Sequence, residues 1–205
     1  MGKLVFSIVG IVLFATGLPA QQPSAPPQTP KGQTLDIGRP TKGTDPLPLF
    51  DFDQYFTGTW TFEWEIPEGP LGPAGTLQGT TTYSPLGGKF YQAETKGTGP
   101  TGPFTIHELI AYERENKILA RHVNDSRGFS YLQIGPVGGD LGGYYNVYFE
   151  SVPFTYGGKS IRIRNAMRLL SPTNYRYTTT VSIDGGPFIN YGNPWWRKAG
   201  SQGAR

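Results

Sequence analysis

The chain contains no cysteine among its 205 residues. It therefore lacks disulfide bonds, thiolate metal ligands and a cysteine nucleophile. Charged residues are also scarce, at 16% of the chain, and the formal net charge is only +3. The basic residues are scattered singly, which argues against a nucleic-acid partner. Only two histidines are present, His107 and His122, so any imidazole chemistry depends on them.

No apolar run is long enough to span a membrane. The longest, Leu4 to Leu18, follows Lys3 and ends at Pro19-Ala20, and it is shorter than the roughly 20 residues that a spanning helix needs. This pattern predicts a secretory signal peptide over residues 1–20, with retention as an uncleaved anchor as the alternative. We therefore expect an exported protein, periplasmic or extracellular, with no integral membrane span after cleavage.

Large apolar residues are nearly missing from residues 21–48, which carry seven prolines. Such a segment cannot bury a core and is predicted to be a disordered, extended leader. Apolar residues return at Leu49-Phe50-Asp51-Phe52. We predict one folded domain over 49–198, followed by a disordered tail over 199–205.

Turn-forming and aromatic residues dominate the predicted domain. The chain has 29 glycines and 19 prolines, and 14% of its residues are aromatic. After residue 50, short alternating segments are separated by clusters of Gly, Pro, Asp or Asn, and no helical period appears. This pattern predicts about ten strands, near 56–66, 75–84, 89–96, 104–113, 118–124, 128–135, 144–152, 160–169, 174–183 and 187–197.

Alternation within the strands predicts one buried and one solvated face. Trp60, Phe62, Trp64 and Ile66 alternate with polar residues in the first strand. Short sequential connections favour an all-β, single antiparallel up-and-down β-barrel, because closure removes exposed sheet edges. A β-sandwich is the main alternative. The loops near 67–74, 97–103, 125–128, 153–158 and 184–187, four of which are rich in Gly or Pro, would share one end, which is the expected mouth.

Gly58-Thr59-Trp60 opens the first predicted strand after a short apolar plug. This Gly-x-Trp string resembles the signature of lipocalins. In lipocalin-like barrels a late arginine packs across that tryptophan at the closed end, and Arg197 lies in the corresponding position. Residues 50–198 are similar to a family of bacterial exported lipocalin-like (calycin-type) domains without an assigned activity.

The chain departs from true lipocalins in two respects. Their Thr-Asp-Tyr signature is missing, the nearest string being Thr173-Asn174-Tyr175, and ten strands exceed the usual eight. The resemblance implies a barrel that carries a ligand, but a fold does not determine a function.

The hairpin 104–123 can be placed in register. If Arg114 to Lys117 form the loop, Glu113 pairs with Ile118, and Glu108 and Arg121 lie diagonally on the more apolar face. That face should point inward, where charges persist only when they are paired. The pair could orient a ligand head group. The alternatives are a purely structural ion pair or an inverted hairpin with both charges in water.

The same register places His107 diagonally across from His122, about 7–8 Å apart at the backbone. Two imidazoles at this spacing could share a metal, with Thr105, Glu113 or Asn124 as the candidate third ligand; surface histidines are the alternative. Haem-binding barrels of this general architecture use a histidine on a late strand, and none follows His122. We therefore predict no cofactor.

Catalytic patterns are weak, because no Gly-x-Ser-x-Gly elbow and no phosphate loop are present. The leading hypothesis is an exported barrel that binds a small hydrophobic or amphipathic molecule through Trp64, Glu108, Tyr112, Arg121 and Tyr177. The second is a structural or interaction module of the cell envelope with a barrel filled by its own side chains. An enzyme that uses Glu108 or the histidines as acid or base ranks third.

Overall fold

The computed structural model describes residues 50–139 and 145–200. A short helix, α1 (Phe52–Phe56), comes first, and the Asp51 side chain caps it by accepting a hydrogen bond from the Gln54 backbone N–H at 3.0 Å. The strands that follow are β1 (Gly58–Ile66), β2 (Gly75–Gly87), β3 (Phe90–Gly99), β4 (Gly102–Glu113), β5 (Ile118–Asp125), β6 (Phe129–Gly139), β7 (Tyr145–Ser151), β8 (Phe154–Tyr156), β9 (Lys159–Ser171), β10 (Asn174–Ile183), β11 (Ile189–Asn190) and β12 (Trp195–Lys198).

Ten of these strands close into an antiparallel ring. The ladders run from β1 to β7, continue through β9, β10 and β12, and return to β1 through the pair Trp60 and Lys198. The predicted up-and-down barrel is therefore confirmed. The β-sandwich is excluded because the ladders of this ring form one continuous closed sheet, whereas a sandwich consists of two sheets with free edges.

One predicted loop contains a short strand and one predicted strand is interrupted, in each case beside a proline, which lacks a backbone donor. The strand predicted at 144–152 is β7, and β8 follows Pro153 within the loop predicted at 153–158, where it pairs with the start of β9. The strand predicted at 187–197 splits into β11 and β12 on either side of Pro194. The carbonyl of Pro194 nevertheless accepts a hydrogen bond from the Tyr177 backbone N–H at 3.0 Å, so this segment still closes the barrel wall.

Apolar residues that alternate with polar residues along the strands point into the barrel, as the sequence predicted. Trp60, Phe62 and Ile66 of β1 are buried, and the intervening Thr61, Glu63 and Glu65 are exposed. The adjacent tryptophans also divide as expected: Trp195 is exposed, whereas Trp196 packs against the core. One β-bulge-like shift occurs between β9 and β10, at Asn174/Tyr175.

Two apolar clusters lie at the two ends of the barrel. The cluster at the α1 end contains Phe50, Phe52, Phe56, Trp60, Tyr83, Tyr91, Tyr112, Tyr145 and Tyr175. The cluster at the end of the Gly- and Pro-rich loops contains Ile66, Leu71, Leu77, Phe104, Phe129, Ile161 and Tyr191. The helix therefore plugs one end. We call the other end the mouth.

Several predictions fall outside the described residues. These are the signal peptide over 1–20, the leader over 21–48, residues 201–205 of the tail, and residues 140–144 of the long β6–β7 connection. Within residues 50–139 and 145–200, no helix combines the length and the apolar character that a membrane crossing would require.

Candidate functional site

A cavity of about 90 Å³ lies inside the barrel between the two apolar clusters. Its mouth side is mainly apolar and aromatic, with Trp64, Leu71, Leu77, Phe104 and Phe129 in the wall. Its deeper wall carries polar groups, including Thr81, Thr95, Glu108, Arg121, Asn165, Tyr177 and Thr179. An apolar entrance above a polar wall is the arrangement expected of a site for an amphipathic molecule.

Arg121 is the centre of the polar wall. Its Nη1 contacts the Glu108 carboxylate at 3.0 Å, and the two side chains are only 9% and 10% exposed. Its Nε and Nη2 both donate to Oε1 of the buried Gln133, at 2.9 and 2.8 Å. Nη1 also donates to the Tyr177 hydroxyl at 3.3 Å. Glu108 and Arg121 therefore face inward as a pair, as the hairpin register predicted, and the inverted hairpin is wrong.

The network continues through uncharged side chains on three further strands. The Gln133 amide donates to Asn165 Oδ1 at 2.9 Å, and the Asn165 amide donates to Thr179 Oγ1 at 2.9 Å. All three residues are buried. Each amide therefore has a partner, and the network holds the Arg121 guanidinium in one orientation.

The electrostatic surroundings keep Arg121 ionised. Burial alone would lower its pKa, but the neighbouring Tyr177 and Glu108 outweigh it and raise the pKa above the ordinary arginine value. The guanidinium carbon also lies 4.6 Å from the Phe149 ring centre and 5.6 Å from that of Tyr177. These contacts place a permanent cation beside two aromatic faces.

Three tyrosines lie at the deep end of the cavity, and two of them, Tyr83 and Tyr177, line its wall. Tyr83 and Tyr175 share a hydrogen bond of 3.1 Å, and Tyr177 contacts Arg121. Burial raises the pKa of Tyr83 and Tyr175 well above 10 and that of Tyr177 to about 12. All three are therefore neutral hydroxyls at physiological pH, able to donate and accept hydrogen bonds.

A second ion pair stands at the mouth. Asp125 accepts hydrogen bonds from Arg127 Nε at 2.9 Å and Nη2 at 2.6 Å. The Arg127 guanidinium lies 4.8 Å from the Phe104 ring centre and 5.3 Å from that of Phe129. This ion pair therefore lies beside the aromatic rings of the entrance, and its two opposite charges compensate each other.

Four of the five residues predicted to bind a ligand line this cavity: Trp64, Glu108, Arg121 and Tyr177. Trp64 is held by its indole N–H, which donates to the Tyr191 carbonyl at 3.0 Å. Tyr112 is not in the cavity wall. It points inward from a position near the β4–β5 turn and packs on Phe50, with ring centres 5.5 Å apart, because the plug occupies that end.

The predicted contact between Arg197 and Trp60 is wrong. Trp60, two residues after Gly58, is buried, and its indole N–H donates to the Phe56 carbonyl at 2.7 Å. The cation above its ring is Lys198, whose Nζ lies 5.4 Å from the ring centre. Lys198 is the cross-strand partner of Trp60, whereas Arg197 pairs with Thr61 and takes the opposite, exposed face.

The two histidines lie on the outer face. Both are exposed, and His122 pairs with Leu109 in the predicted register. Glu94 stands opposite His107. No group of three or more metal-ligating side chains occurs in the part of the chain that the structure describes.

The sequence reasoning missed Gln133, Asn165 and Thr179, although each is buried in the polar network. Their positions carried a usable signal. Each occupies an inward position in an alternating strand, where Gln133 follows Tyr131 by two residues and Thr179 follows Tyr177 by two. A polar residue on an otherwise apolar face is informative because its burial requires a partner.

The fold resembles that of Rv2717c from M. tuberculosis, with a TM-score of 0.58 and 10% identity over 70% of this chain and 92% of that chain. The redesigned β-barrel mFAP0 bound to DFHBI has a TM-score of 0.40 and 16% identity, covering 70% of this chain and 99% of its own. A fluorescence-activating β-barrel designed de novo has a TM-score of 0.41 and 15% identity, over 73% and 98%. Residues 54–190 match the model of a family described as a protein of unknown function, DUF1579. No curated protein matches the chain.

Proposed function

Because this chain belongs to DUF1579, a family whose description supplies no activity, we propose from the barrel's own residues that it is a lipocalin-like carrier of a small amphipathic molecule. The observation that carries the proposal is the Glu108–Arg121 ion pair in the wall of an internal cavity. Replacing a buried ion pair by apolar residues is often neutral or stabilising. An ion pair in the wall of a cavity is therefore better explained by recognition than by stability.

The size of the cavity limits the ligand. Its volume of about 90 Å³ is smaller than the roughly 300–1,000 Å³ of most ligand pockets. A ring or a compact polar head fits such a space, whereas a long acyl chain does not. The bound molecule would place its polar group against Arg121 and its apolar part against the rings of the mouth.

Entry would occur at the mouth. The helix α1 and its aromatic neighbours fill the opposite end, where Phe52 and Tyr91 pack with ring centres 4.1 Å apart. At the mouth, the segment between β1 and β2 contributes Leu71 to the cavity wall, and the end of β5 contributes Asp125. A ligand can pass there without breaking a ladder of the barrel.

Export is part of the same proposal. It is supported by the apolar run Leu4 to Leu18 with its small-residue exit, which has the pattern of a signal peptide. Amino-terminal sequencing of the protein from the host's periplasm or medium tests it. A mature terminus near Gln21 is the expected result, and a cytoplasmic protein that begins at Met1 would contradict it.

Native mass spectrometry of the protein purified from its host tests ligand binding. We expect a reproducible added mass that is lost in Ile106→Phe, because Ile106 lines the cavity and the larger ring would fill it. Leu109→Phe is the matched control, since Leu109 lies on the same strand but is 50% exposed on the outer face. A ligand-free mass after incubation with host extract would contradict the proposal.

One observation favours the alternative of an envelope interaction module. Leu109 on β4, Leu132 and Ile134 on β6, and Val152, which follows β7, are all at least half exposed. Exposed apolar patches often mark protein contacts. A ligand-free mass, together with a co-purifying partner lost in Leu132→Lys, would favour this module over the carrier.

A further inference from the structure

The positive and negative charges in the cavity wall compensate each other. Glu108 pairs with Arg121 in the polar wall, and Asp125 pairs with Arg127 at the mouth. These four are the ionised side chains among the residues that line the cavity. The wall is therefore polar without carrying a net charge.

A charged ligand would fit such a wall poorly. To form an ion pair of its own, an anion must draw Arg121 away from Glu108, which lies 3.0 Å from it, and a cation must draw Glu108 away from Arg121. Either exchange leaves one buried charge without its partner, and the ligand has also lost its hydration. The Gln133 side chain, which holds Arg121 by two hydrogen bonds, further resists the movement.

An uncharged group with a donor beside an acceptor meets no such penalty. The Glu108 carboxylate can accept a hydrogen bond from it, and the Tyr177 hydroxyl can donate one to it. Arg121 forms four hydrogen bonds to Glu108, Tyr177 and Gln133, whereas a guanidinium has five N–H groups. The wall therefore offers donors and an acceptor side by side.

The apolar part of the wall is built from flat rings. Phe62 and Trp196 stack with their centres 5.3 Å apart, and Phe129 stacks on Tyr131 at 6.3 Å. All four rings line the cavity. Aromatic faces of this kind favour a planar ligand body.

Resting on the proposed function, we infer that the cavity selects an uncharged planar molecule with an amide-type edge, such as a lactam or an aromatic carboxamide. The Glu108 carboxylate accepts a hydrogen bond from the donor of that edge, and the Tyr177 hydroxyl and the Arg121 guanidinium donate hydrogen bonds to its acceptor. Glu108 thereby sets the charge preference of the site, because it neutralises Arg121.

The test compares three probes of similar size and different charge: benzamide, benzoate and benzylammonium. Binding to the full chain at neutral pH is measured by ligand-observed NMR titration. We expect benzamide to bind at least about tenfold more tightly than either ion. In Glu108→Gln the guanidinium loses its counter-charge, so the affinity for benzoate should rise by about 100-fold and benzoate should bind more tightly than benzamide.

The control variant is Glu94→Gln, which removes an exposed carboxylate of β3 and should leave the ranking unchanged. Tightest binding of benzoate or benzylammonium to the unmodified chain would overturn the inference, as would a ranking that Glu108→Gln does not alter.

If Glu108→Gln fails to fold, the ranking on the unmodified chain decides. If no probe binds but host-purified protein carries a cavity ligand, the inference alone fails; if that ligand is also absent, the proposed function fails.

Discussion

Among single residues, Gln133 is notable because it contacts the Arg121 guanidinium from a different side than Glu108 does. It is 2% exposed, and its amide oxygen accepts two of the four hydrogen bonds that Arg121 makes. Its amide nitrogen donates to Asn165 Oδ1 and, at 3.3 Å, to the Ile163 carbonyl. One neutral side chain therefore satisfies groups on two other strands.

Gln133→Leu keeps the approximate volume and removes these hydrogen bonds. We expect the free energy of unfolding to fall by about 2–4 kcal/mol, because two N–H groups of a buried cation lose their acceptor. Urea denaturation followed by tryptophan fluorescence measures the change. Gln78→Leu, on the exposed face of β2, is the control and should cost less than about 0.5 kcal/mol. Equal losses in the two variants would show that the network does not stabilise the barrel.

At the element scale, β6 and β7 approach each other closely beside the polar wall. Their ladder pairs Ile134 with Glu150 and resumes at Val137 with Val147, so Gly135 lies in the interval. A Cβ atom at Gly135 would collide with the backbone carbonyl of Tyr148. Glycine is needed here because two backbones occupy the space that a side chain would take.

Gly135→Ala should therefore push the two strands apart. We expect a loss of about 1–3 kcal/mol in the free energy of unfolding, the usual range for overpacking. Gly138→Ala is the matched control on the same strand, because a Cβ there meets no atom within 4 Å. It should be neutral or slightly stabilising. Thermal unfolding followed by circular dichroism compares the two variants, and equal stabilities would refute the close approach.

At the scale of the whole molecule, the closed ring removes many tyrosine hydroxyls from water. Burial raises the pKa of Tyr112 and Tyr177 to about 12, and it also raises the pKa of Tyr83, Tyr131 and Tyr175. In the unfolded chain these groups titrate near pH 10. Between the two pKa values the folded state retains protons that the unfolded state has lost.

Below about pH 10, these tyrosines should therefore not change the free energy of unfolding with pH. Above about pH 10, the free energy of unfolding should fall by about 1.4 kcal/mol per pH unit for each proton that the folded state retains. Urea midpoints at pH 8 to 11.5 measure the decline. Tyr175→Phe should reduce the slope, whereas Tyr148→Phe, which changes an exposed ring, should not. A midpoint that stays constant from pH 9 to 11.5 would contradict the prediction.

Much of the candidate site could be predicted from local pattern. The turn Arg114 to Lys117 set the hairpin register, and Leu109 pairs with His122 as expected. That register put Glu108 and Arg121 on one face, and the more apolar character of this face predicted that they point inward, with the inverted hairpin as the alternative. It could not identify Gln133 as the partner of Arg121, because register within one hairpin does not place the side chains of the next strand. The contacts with Asn165 and Thr179 join residues still further apart in the chain.

Local sequence pattern was sufficient to predict ten strands, their inward faces and the up-and-down order, because period-two alternation and turn residues act over a few positions. The folded barrel was needed to show which cation covers Trp60, since Lys198 and Arg197 differ by one residue and adjacent side chains take opposite faces. It also decided that Tyr112 belongs to the plugged end and that a cavity of about 90 Å³ remains beside Arg121. Packing of distant strands sets such volumes, and no local pattern encodes them.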